Sequence, residues 1–171
     1  MEVSPGIKRN AVLCVLKHEK QFLLLERAKP PHEDHYTPLG GKIDPHESPK
    51  AAALRELKEE TGIELEDMKY AGLLAETSPS NYNWTGFVYW AEIDMITPPL
   101  SPEGKLAWIP YSQLNKYPIP ETDPWIYQYI LERKSFMLSA DYDADLKLLR
   151  LEEEIEGTLI HPPFIEGYSV T

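Results

Sequence analysis

The sequence predicts an α/β (α+β) fold, a mixed central sheet flanked by helices, on three observations. Short apolar, β-prone stretches outnumber helical ones. The two helical stretches each stand between groups of strands, which sets them on the faces of a sheet and not in a bundle. No segment repeats and none is of low complexity. A chain of 171 residues is then expected to form one domain over 1–171. Its core is expected over about 5–155, with an irregular tail over about 156–171.

The elements follow in order. Residues 9–17 (RNAVLCVLK) and 21–26 (QFLLLE), separated by HEK, predict a hairpin. KPPHEDHY is a polar loop and TPLGGKI a short continuation. A helix then starts with Ser48 as its N-cap and Pro49 in its first position, runs through AAALRELKEE, and stops at Gly62. Residues 67–76 and 84–93 predict two strands joined by the turn-rich ETSPSNYN. LAWIPY predicts another strand and SQLNKY one helical turn. TDPWIYQYILER predicts a second helix, capped by Thr122 or Asp123. FMLSA and LKLLRLEEE flank DYDAD as a last hairpin.

Composition narrows the partners. A net charge of −11 without a basic patch argues against a nucleic-acid duplex or an anionic membrane. It leaves room for a small phosphate ligand, because a divalent cation inverts the local field. No stretch approaches a membrane span, and MEVSPGIKRN lacks the apolar region of a signal peptide. The single cysteine, Cys14, sits in the apolar run AVLCVL and reads as a core residue. A cytoplasmic protein, monomer or homodimer, is expected.

The first helix carries an electrostatic problem. Glu56, Glu59 and Glu60 fall within one arc about 100° wide, beside an apolar arc of Ala53, Leu54, Leu57 and Thr61. Like charges at these spacings repel by a few tenths of a kcal/mol per pair. One reading is a solvated acidic face balanced by Lys50, Arg55 and Lys58. The other is a site for a hard divalent cation, which takes several carboxylate and carbonyl oxygens and keeps waters for a phosphate.

The spacing favours the second reading. Gly41, Glu47, Arg55, Glu56, Leu57, Glu59, Glu60, Gly62 and Ile63 fit the pattern G-x5-E-x7-R-E-φ-x-E-E-x-G-φ, where φ is apolar. A chance match is on the order of 10⁻⁷ per chain. This stretch resembles the signature box of the Nudix hydrolases, and the order of elements resembles their α/β/α sandwich. The resemblance implies hydrolysis of a diphosphate linkage in a nucleoside diphosphate derivative, with Mg²⁺ or Mn²⁺ as cofactor. By position it implies Glu59 and Glu60 as principal metal ligands, Glu56 as a further ligand or the base, and the Gly40 carbonyl as another ligand. Gly41, Glu47, Arg55 and Gly62 support them. The base is Glu56 or Glu103 of LSPEGKLAW, with Glu92 a weaker candidate; Glu103 is otherwise a plain loop charge.

The stretches PEGKLAWIPYSQL, IPETDPWIY and KSFMLSADYDADLKLLRLEEE resemble the MutT-like branch, which removes oxidised purine nucleoside triphosphates. There Asp123, less securely Glu121, would read the purine edge, unless Asp123 is only a helix cap before Pro124. Thr37 stands where purine-reading members often have asparagine. Pro79, 16 residues beyond Ile63, matches a spacing of ADP-ribose-cleaving relatives, although the acidic residues that follow there are missing from SPSNYNW. Tyr36, Tyr82 and Trp84 stack on a base or pack in the fold. Arg27 and Lys42 touch phosphate or lie on the surface. The alternatives to a triphosphatase are an ADP-ribose, nucleotide-sugar or dinucleotide pyrophosphatase, and a non-catalytic nucleotide-sensing module. DYDADLKLLRLE has calcium-loop spacing, but Leu146 replaces the required glycine, so a charged hairpin turn is expected.

Overall fold

In a computed structural model, which describes residues 7–162, nine strands run side by side in one sheet and two short strands pair beside them. The strands are β1 (Arg9–His18), β2 (Gln21–Arg27), β3 (Tyr36–Thr37), β4 (Leu39–Lys42), β5 (Lys69–Thr77) and β6 (Trp84–Glu92). They continue with β7 (Leu100–Ser101), β8 (Gly104–Pro110), β9 (Phe136–Tyr142), β10 (Leu148–Glu153) and β11 (Thr158–His161). Helix α1 is Pro49–Thr61, α2 is Asp123–Glu132, and a 3-10 helix covers Tyr111–Lys116. The sheet order is β11-β10-β9-β5-β6-β1-β2-β8-β7. It is mixed: β1 pairs in parallel with β6, and β5 with β9, while the other pairs are antiparallel.

The apolar runs of β1 and β2 show little alternation because both of their faces are buried. Val12, Cys14 and Leu16 point to one side, with Leu23 and Leu25, and pack against Ala52, Ala53 and Leu57 of α1. Val15, Phe22 and Leu24 point to the other, with Leu74 and Val88, and pack against Ile126, Tyr127 and Ile130 of α2. Period-two alternation therefore builds two cores on one sheet, the expected layered sandwich. Cys14 is fully buried. No helix among the described residues is long and apolar enough to cross a membrane.

Helix α1 begins and ends where its signals stand. The Ser48 hydroxyl oxygen accepts the Ala51 N–H at 3.2 Å, and Gly62 takes the left-handed cap conformation at φ 74°. Ser48→Ala is expected to cost about 1 kcal/mol of stability in urea unfolding, with activity retained.

Three expectations change. Neither Thr122 nor Asp123 caps α2 through its side chain; the Thr122 hydroxyl donates to Asp123 Oδ1 at 3.3 Å, and Asp123 is turned into the protein. The tail expected to be irregular begins with β11, which pairs antiparallel with β10, and 163–171 lie outside the described residues. The two-residue strands β3 and β7 were not expected, since each exists only through its partner, β2 or β8. The DYDAD turn closes on itself, with Asp143 Oδ1 accepting the N–H groups of Asp145 and Lys147.

Candidate active site

β1 meets β2 only near their hairpin, over Leu16–His18. Towards its N-terminus that side of β1 is taken by β4, which brings Gly40 opposite Leu13 and Gly41 opposite Val12. The approach is close. A Cβ on Gly40 (φ +155°) would stand 2.0 Å from the Val12 carbonyl oxygen, and one on Gly41 would stand 2.3 Å from the Glu56 carboxyl carbon. Two glycines thus let the backbone run between β1 and the carboxylates of α1.

Arg55 answers the repulsion among those carboxylates. Its Nε donates to Glu47 Oε2 at 2.9 Å, Nη2 pairs with Glu47 Oε1, and Nη2 also donates to the Lys42 carbonyl at 3.1 Å. Its Nη1 donates to Glu56 at 2.8 Å and to Glu59 at 3.2 Å. Hydrogen bonds from Arg55 hold the Glu47 carboxyl down at about 2. One guanidinium therefore ties the loop before the helix to two of its glutamates, as a planar five-donor group can.

Glu60 differs from its neighbours. It is 8% exposed, and its Oε2 accepts the Gly40 N–H at 3.3 Å. Burial pushes its carboxyl up to about 7, with the charges of Glu56 and Glu103 adding to the rise. Glu59 has an exposed side chain. Among the described residues no three acidic, cysteine or histidine side chains converge as a ready-made metal cage. Arg55 engages Glu56 and Glu59, and the Gly40 N–H engages Glu60. The donor set is nonetheless all oxygen, gathered round a buried carboxyl that carries too little counter-charge, and so fits a hard divalent cation.

These groups open onto a cleft of about 610 Å³. Gly40, Gly41, Glu56, Glu60 and Glu103 line it, as do Arg27, Thr37, Lys42, Tyr82, Trp84 and Asp123. Glu59, Glu47, Arg55 and Gly62 are not part of that lining. Glu121 does not line the cleft, and Glu92 is engaged by Lys17. Tyr36 is a correction: it is not part of the cleft, and its ring packs edge-on against Tyr117 at 5.0 Å. Tyr36 and Thr37 are successive residues of a strand and point to opposite sides, and one of the two reaches the cleft. Thr37 does, and its buried hydroxyl has no hydrogen-bond partner among the described residues.

Asp123 is buried to 4% exposure with Oδ2 unpartnered, and burial raises its carboxyl well above the usual range. Three further cleft residues were missed: Arg9, His32 and Glu76. Arg9 and Glu76 flank Trp84 in the strand register, a relation invisible until the strands are paired. The Arg9 guanidinium lies 5.7 Å from the centre of the Trp84 ring. His32 Nε2 meets the Tyr82 hydroxyl at 3.1 Å, and burial lowers its pKa to about 4.

Comparison with known proteins places this site in context. The family model of the NUDIX domain matches residues 7–132. The chain is 52% identical over 42 residues to the putative 8-oxo-dGTP diphosphatase YtkD of Bacillus subtilis, covering 24% of this chain and 27% of that protein. It is 34% identical over 106 residues to the ADP-ribose pyrophosphatase of Saccharomyces cerevisiae, covering 56% of this chain and 43% of that one. The matches thus span less than half the length of these curated relatives. The MutT mutator protein of Bacillus halodurans has the same fold, with a TM-score of 0.74 and 25% identity over 86% of this chain and 98% of that one.

Proposed function

The chain belongs to the NUDIX domain family, and from that premise we propose that it is a hydrolase that cleaves a diphosphate linkage of a nucleoside diphosphate derivative. Its substrate is a purine nucleoside triphosphate, normal or oxidised at the base in the manner of 8-oxo-dGTP, split to monophosphate and pyrophosphate. The observation that carries this reading is one cleft lined by two of the three glutamates of α1, Glu56 and Glu60, and, among aromatic rings, by the buried carboxyl of Asp123.

Glu56, Glu59, Glu60 and the Gly40 carbonyl would hold Mg²⁺ or Mn²⁺, which neutralises phosphate charge and lowers the pKa of a bound water. Arg27 and Lys42, cations of the cleft wall, take the phosphates. Glu103 takes the proton of the attacking water. It lines the cleft and has no cationic partner among the described residues, whereas Glu56 is held by Arg55. Tyr82 and Trp84 offer faces for the base, and Asp123 reads its edge. A single domain fits the continuous sheet, and a reducing, cytoplasmic setting fits the lone buried thiol. Whether monomer or homodimer, the chain holds all of these groups itself.

A second reading, an ADP-ribose, nucleotide-sugar or dinucleotide pyrophosphatase, is favoured by the position of Pro79 and by the yeast relative. A nucleotide-sensing module without catalysis would have no need of all three glutamates. A panel of nucleotides incubated with Mg²⁺, with products identified by mass, separates the three. The proposal expects purine triphosphates to give monophosphate and pyrophosphate. Cleavage of ADP-ribose with triphosphates untouched would establish the second reading, and binding without turnover the third.

A further inference from the structure

The cleft holds one carboxylate that the proposed reaction does not use. Glu76 of β5 pairs in register with Trp84 of β6, and Trp84 with Arg9 of β1. Laterally paired residues of neighbouring strands point to one face of a sheet, and all three line the cleft. The next row on that face is Leu74, Gly86 and Ala11. Gly86 places no side chain between its neighbours, and Leu13 packs against it, so the floor beside Glu76 is apolar and a planar ring can lie on it.

Glu76 is fixed there. Its Oε2 accepts the Tyr142 hydroxyl at 2.8 Å across to β9. The nearby cation, Lys8, donates to the Glu76 backbone carbonyl at 3.0 Å and to the Thr77 hydroxyl at 2.7 Å, and not to the carboxylate. The Tyr82 hydroxyl, which meets His32, is a second phenol beside the Glu76 carboxylate. A carboxylate offers about four lone-pair sites, and two phenols leave about half of them open. Burial raises the Glu76 carboxyl, the Tyr142 and Tyr82 hydroxyls and the Lys8 charge oppose that rise, and Asp123 stands near enough for the Glu76 charge to raise it in turn. A partly dehydrated carboxylate so placed gains from donors supplied by a ligand.

We propose that Glu76 is a specificity-determining residue that selects a base presenting two adjacent N–H donors, the ring imino and exocyclic amino groups of a guanine-type edge. This rests on the purine triphosphate reading. An adenine-type edge sets a ring lone pair beside its amino group, and that lone pair faces a carboxylate unfavourably. A site built to bond two donors discriminates against an analogue that lacks one, because an acceptor is then left without its partner.

The test compares kcat/KM for dGTP with that for dITP, which differs only by loss of the 2-amino group. The wild-type chain is expected to prefer dGTP by about 10-fold or more. Glu76→Gln keeps the shape but replaces one acceptor by a donor, and is expected to reduce the preference to within about two-fold, mainly through KM for dGTP. Tyr142→Phe, which frees Glu76 without removing it, is expected to fall between the two. Thermal melting checks that both variants fold. A purely structural tie between β5 and β9 would lower stability and leave the ratio unchanged. An unchanged ratio in Glu76→Gln, or no wild-type preference, overturns the inference while leaving the triphosphatase reading intact. A wild-type chain that cleaves neither nucleotide, nor 8-oxo-dGTP, overturns that reading and this inference with it.

Discussion

Glu59→Gln is expected to lower kcat by more than about 100-fold while leaving the melting temperature nearly unchanged. Two magnitudes set this result. The Glu59 side chain is 59% exposed, and its tie within the protein is an i,i+4 pair with Arg55 at 3.2 Å. Such pairs contribute about 0.5 kcal/mol or less, so folding hardly registers the change. Outer neighbours of metal ligands cost about 10–100-fold in activity when removed, so a direct ligand costs more. Steady-state kinetics at saturating Mg²⁺, paired with thermal melting, checks both halves. A variant with near wild-type kcat under those conditions removes Glu59 from the ligand set.

The second large effect is on stability. Gly40→Ala is expected to cost about 3–5 kcal/mol, enough to unfold a marginal domain. The new Cβ would meet the Val12 carbonyl oxygen at 2.0 Å and its carbonyl carbon at 3.0 Å, and both belong to β1, an interior strand of the sheet. Backbone there has nowhere to move, because β1 is also paired along its whole length to β6. Any shift of β4 also withdraws the Gly40 N–H from Glu60. Gly62→Ala is the internal comparison. Gly62 has φ 74° but nothing within 4 Å of the added Cβ, so only the left-handed conformation is penalised, by about 1 kcal/mol. Urea unfolding of the two variants should separate them by several-fold in ΔΔG. Equal values would show that the contact with Val12 is not the constraint.

Legibility followed the range of the forces involved. Helix α1 could be read from local chemistry alone: Ser48, Pro49 and Gly62 act within one turn of the backbone they cap. The β1–β2 hairpin was readable because two faces buried at once leave an unbroken apolar run. The glutamates of α1 were readable because helical geometry converts their spacing into a shared face. What failed depended on partners far away in sequence. β11 and the two-residue strands have no periodicity of their own and form by pairing. Arg9 and Glu76 lie 67 residues apart and become neighbours of one ring only through the register of β1, β6 and β5. Asp123 looked like a cap because Pro124 follows it, yet the fold turns its carboxyl inward. Tyr36 and Thr37 point to opposite sides of β3, and which of them faces the cleft is set by the pairing of β3 with β2.

The crowding of Glu56, Glu59 and Glu60 is the feature on which the account turns, and Mn²⁺ binding followed by electron paramagnetic resonance tests it most directly. The wild-type chain, Glu59→Gln, Glu60→Gln and Glu64→Gln would be titrated side by side. Glu64 serves as control because it is exposed, lies just beyond α1 and is paired with Lys58. The account predicts saturable Mn²⁺ binding in the wild-type chain and in Glu64→Gln, and strongly weakened binding in the other two, with all four folded. Equal binding in all four would contradict it, and the acidic helix would then be a solvated face balanced by Arg55.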